Sequence, residues 1–192
     1  MNLLVPDRSY TDFDGDRSEL AQDIADAVAD LGGHELSEAD IGPGADWPMF
    51  TVALTAIGSV FLLGERIERS LDAWVALSRK VTKAIARLKA KHGAIRVDEA
   101  GARLLVLERL SRSVQRIDTL EVLVADTVPI HEFSDRPKGE LGSRYDALFV
   151  LVIRINDAHL YVAGVRSSGE IDFLQVYGAH FMTFGAPESR DS

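Results

Sequence analysis

Acidic side chains at alternating positions are the first feature of this chain that could do chemistry. Asp12, Asp14 and Asp16 are spaced like the opening ligands of a calcium loop, in which alternate side chains reach one cation. That loop then requires glycine at its sixth position and a bidentate glutamate at its twelfth. Arg17 and Asp23 stand there instead, so the run reads as a charged loop leading into a helix cap. The five histidines are His34, His92, His131, His159 and His180, and none has the H-E-x-x-H spacing that puts two imidazoles on one zinc. The glycines at 42 and 44, and at 139 and 142, complete no phosphate-binding loop.

One further pair is arranged like a nuclease site in outline. Asp146 opens an apolar strand and Arg166 closes the next. This resembles metal-dependent nucleases, which place an Asp and then a Glu-x-Lys on adjacent strands. Here Gly164 takes the Glu position and Arg166 the Lys position, so the second carboxylate that two-metal chemistry uses is missing. Both residues read as polar strand ends. The sequence therefore predicts no catalytic residue, no metal-ligand set and no cofactor.

Composition sets further bounds. The chain has 192 residues, 46% hydrophobic and 27% charged, which suits one ordinary globular domain with small appendages. The absence of cysteine excludes disulfides, thiol nucleophiles and thiolate metal sites, and it is compatible with a reducing cytoplasm. A net charge of -9 argues against nucleic acid as a partner. The charge is unevenly spread. Residues 1–46 hold twelve acids and two bases, residues 47–91 three acids and eight bases, and the remainder fifteen acids and eleven bases. An acidic arm thus precedes a basic segment, and the two are expected to attract each other weakly, at about 0–1 kcal/mol per exposed pair.

Those residues must be positioned by a small set of elements. The pattern predicts an edge strand over residues 2–5, an amphipathic helix over 17–31 and a glycine stop at 32–33. Residues 47–64 contain no charged side chain, and the helical pattern continues beyond them to about residue 91. The expectation is one long helix, hydrophobic and then basic, with Phe50, Leu54, Ile57 and Phe61 buried in protein or in a membrane. Ile67, Leu71, Trp74, Ser78, Val81, Ile85 and Leu88 alternate spacings of four and three. Such a seam suits either a core stripe or contact with a second helix. Arg79, Lys80, Lys83, Arg87, Lys89 and Lys91 form a basic patch on the same stretch.

Residues 95–97 predict a short strand, and Asp98 caps a helix over 99–113. Three apolar runs over 145–177, joined by tight turns, predict antiparallel hairpins that follow a strand ended by Pro129. The fold class expected is α+β: a long helix and two shorter ones packed on a C-terminal antiparallel β-sheet meander. Its divisions are an arm over 1–46, the long helix over 47–92, a helix and sheet over 93–185, and a tail over 186–192.

The function this predicts is that of a soluble, cytoplasmic, non-enzymatic interaction or regulatory module. It would act through the helical seam and charged surfaces on a protein partner or a second copy of itself. The alternatives are a membrane-associated protein that inserts through residues 47–64, and an enzyme whose site follows no recognised motif.

Overall fold

The computed structural model describes residues 1–6, 17–31, 34–39, 49–54, 66–67, 71–92, 95–129 and 147–178. Three helices pack with two antiparallel sheets, an α+β arrangement. The elements in chain order are β1 (Asn2–Pro6), α1 (Arg17–Val28, extended by a 3-10 turn over Ala29–Leu31), β2 (His34–Ala39), β3 (Met49–Leu54), β4 (Arg66–Ile67), α2 (Leu71–His92), β5 (Arg96–Val97), α3 (Glu99–Ser113), β6 (Leu120–Pro129), β7 (Ala147–Ile155), β8 (His159–Arg166) and β9 (Ile171–Gly178).

The C-terminal sheet runs β4-β6-β7-β8-β9, so its last four strands form the expected meander. Its turns follow from residue type. Asn156 and Asp157 both take positive φ, 53 and 54, in the three-residue connection Asn156–Ala158 between β7 and β8, where the Ala158 amide donates to the Ile155 carbonyl at 3.2 Å. Gly169, at φ 80, closes the β8–β9 turn, where its amide donates to the Arg166 carbonyl at 2.8 Å. Along β7 every second residue from Phe149 to Ile155 is buried, and the cross-strand partners Ala163 and Val165 share that face. Helix α3 packs on this face, and α2 packs against α3.

α3 is nearly surrounded. Ala102, Leu104, Leu105, Val106, Leu107 and Leu110 are all buried, as a helix with contacts to α2, β1, β5, β7 and β8 requires. Asp98 caps it as expected, its carboxylate accepting from the Gly101 amide at 2.9 Å. The same side chain accepts from the Asn2 amide at 2.6 Å, which ties the chain's first strand to the central helix.

Two expectations are corrected. The long helix exists, but it covers Leu71–His92 and does not begin at residue 47. Met49–Leu54 is instead strand β3, held between β1 and β2. A short uncharged and mostly apolar run serves a central strand as well as a buried helix, and periodicity cannot separate the two. The Phe, Thr and Val at positions 50–52 favour the extended form. Phe50 and Leu54 therefore lie on a strand, whereas Ile57 and Phe61 fall outside the described residues. No helix among the described residues is long and apolar enough to cross a membrane.

The second correction concerns β1, which is an interior strand. The N-terminal sheet runs β2-β3-β1-β5, and β1 has neighbours on both sides. The two sheets meet at Ser167. Its carbonyl accepts from the Val97 amide of β5 at 2.7 Å, and its hydroxyl accepts from the Ala147 amide of β7 at 3.2 Å.

Candidate functional site

α2 presents two chemically different faces. One carries the predicted seam. Ile67 just before the helix and Leu71, Val81, Ile85 and Leu88 on it are buried, Ser78 is buried with them, and Trp74 is half-buried. Ile67, Leu71, Val81, Ile85 and Leu88 belong to the cluster shared with α3 and both sheets, and Trp74 packs against it. The buried members of the seam thus pack in the chain's own core, while Trp74 keeps part of its surface exposed. Ser78, the polar interruption, returns its hydroxyl to the Val75 carbonyl at 2.8 Å, as a serine three residues along a helix can.

The opposite face is basic. Arg79, Lys80, Lys83, Arg87 and Lys91 are exposed, interleaved with exposed Ala76, Ala86 and Ala90. Three of the six predicted bases have partners. The Lys91 ammonium lies 2.5 Å from the Asp23 carboxylate of α1. The Lys80 ammonium donates to the Asp30 carbonyl at 3.3 Å, at the end of the turn that follows α1, where free carbonyls attract cations. Lys89 pairs with Glu170 of the β8–β9 turn at 3.0 Å. Arg79, Lys83 and Arg87 carry no ion pair to any described residue. One ion pair, Lys91 with Asp23, thus joins α1 to the basic helix among the described residues. α1 is not held by charge alone, however, since Ile24, Val28 and Leu31 are buried beneath it.

Arg79 and Asp72 line a cleft of about 400 Å³ between the start of α2 and the end of α3. Leu71, Val75, Val114 and Ile117 supply its apolar wall. Arg116 also lines it, paired with Asp118 at 2.7 Å. The basic row and this cleft are continuous through Arg79, an adjacency that strand and helix patterns do not reveal because it depends on where α3 ends relative to α2.

Other sequence candidates are not gathered into a site. Asp12, Asp14, Asp16, His131, Asp146 and His180 lie outside the described residues. His159 is exposed at the start of β8, and Arg166 pairs with Asp172 across the hairpin at 2.8 Å. Among the described residues no three His, Asp or Glu side chains are grouped to hold a metal ion. Compared with protein-family models, curated proteins and solved structures, the chain matches none.

Proposed function

We propose that this protein is a soluble, non-enzymatic interaction module of the cytoplasm, and that its binding surface is the outer face of α2. The observation that carries the reading is the row Arg79, Lys83, Arg87. These three cations are spaced four residues apart on one exposed helix face, with no acidic partner among the described residues, in a chain of net charge -9. Every other base of that helix is already engaged. The partner such a row suits is an acidic protein surface or peptide. Its on-rate and selectivity would come from charge, and its register from the cleft beside Arg79. The alanines between the bases let a partner approach the helix closely.

The test is a titration with fluorescently labelled poly-glutamate, set beside one with vesicles of anionic phospholipid. The expected result is saturable binding to poly-glutamate that weakens steadily as salt rises, because exposed charges are screened within about 10 Å at 0.1 M. Binding to the vesicles alone would move the function to a membrane surface, and binding to neither would remove the charged face from the account.

A further inference from the structure

A second surface, remote from the basic row in chain, is built at the far edge of the C-terminal sheet. β9 is the last strand in that sheet, and nothing among the described residues pairs with its outer side. The opposite edge is β4, two residues long and too short to template another strand. β9 has eight residues, with no lysine and no proline to discourage pairing. Natural edge strands are usually blunted in one of these ways, because an open row of amides and carbonyls recruits further strands.

The surroundings of this edge point to a specific occupant. A groove of about 700 Å³ runs between β9 and the outer side of α3. Tyr161, Ile171 and Leu174 line it, with Val176, Asp172 and Phe173 also bordering it, and Arg109 and Ser113 of α3 form its wall. Tyr161 and Val176 are register partners, as are Ala163 and Leu174, so these side chains share the helix-facing side of the sheet. Val176 is 59% exposed, a large cost for an apolar side chain at the rim of a groove left empty. Arg109 is exposed and makes no ion pair to a described residue, whereas Asp172, the only acid in β9, is already paired with Arg166.

We infer that β9 and the groove beside α3 form a docking site for an extended peptide that adds as a further strand. An apolar side chain of that peptide enters the groove over Val176, and a carboxylate meets Arg109. Backbone pairing to the open edge supplies affinity, and alternate side chains supply selectivity. An acidic peptide is favoured over a second copy of this chain because β9 has no uncommitted carboxylate to offer Arg109.

The probe is a capped peptide of alternating valine and threonine carrying one glutamate, together with its lysine counterpart, read by fluorescence anisotropy on the full chain. Amide hydrogen exchange over residues 171–178 is followed in parallel. The glutamate peptide should bind about threefold more tightly than the lysine one, the scale of one exposed ion pair. Arg109→Glu should reverse that order, and Val176→Lys should weaken both peptides by about tenfold. Binding should slow exchange in β9. Both substitutions sit on exposed positions, and an unchanged unfolding midpoint checks that the fold persists. The proposal is overturned by equal affinity of the two peptides for both the native and Arg109→Glu proteins. It is equally overturned by absent binding, by unaltered exchange in β9, or by concentration-dependent pairing of β9 with a second copy in place of peptide capture.

Discussion

Asn156 shows how much one side chain can fix. Its carbonyl oxygen accepts from the Asp118 and Thr119 amides at 2.7 and 3.1 Å, and its amide nitrogen donates to the Arg116 carbonyl at 2.8 Å. It also takes the positive φ that the β7–β8 turn requires. Asparagine alone combines tolerance of that backbone with both a donor and an acceptor. We predict that Asn156→Ala destabilises the protein by about 1–3 kcal/mol in urea unfolding, because three bonds and the turn preference are lost together. Asn156→Gly, which restores the backbone freedom, should recover part of this and no more. Gly164 makes a different kind of case. A Cβ there would lie 2.2 Å from the Phe173 ring directly across the β8–β9 pair, so the ring covers the glycine. Gly164→Ala should cost about 1–3 kcal/mol through overpacking. In a Phe173→Ala background the same change should cost far less, and additive losses in the double-mutant cycle would show that the two residues do not share this space.

At the scale of elements, legibility followed locality. α3 with its Asp98 cap, β8, both hairpin turns and the stop at Pro129 were readable because each is set by a few neighbouring residues. Residues 49–54 form a strand where the sequence predicts a helix, because an uncharged, mostly apolar run records burial and not period, and the strands that flank β3 are set by pairing and not by local pattern. The same reason hid the interior position of β1 and the groove beside β9. The seam on α2 was legible as a stripe, and sequence alone favoured a core face while leaving an interface open. Its burial now yields a sharp contrast. Leu88→Ala, at a site 2% exposed, should lose about 2–5 kcal/mol of stability, whereas Lys83→Ala on the opposite face should stay within about 0.5 kcal/mol. Thermal or urea unfolding of the two variants checks this. Similar losses would mean that the two faces of α2 are not divided as described.

For the whole molecule, opposite charge and apolar burial act on the same junction. α1 brings Asp23 to Lys91 and the Asp30 carbonyl to Lys80, but it is anchored by Ile24, Val28 and Leu31. Those exposed pairs are screened by salt while buried apolar contacts are not, so added salt should loosen little of the fold and much of any partner binding. The folded chain thus engages Lys80, Lys89 and Lys91 and leaves Arg79, Lys83 and Arg87 exposed. The most direct measurement is the poly-glutamate isotherm of a chain carrying Arg79→Glu, Lys83→Glu and Arg87→Glu together. The account predicts affinity reduced by about tenfold or more with an unchanged unfolding midpoint, since three exposed cations are reversed and no core contact is touched. An isotherm that superimposes on that of the native chain would contradict it.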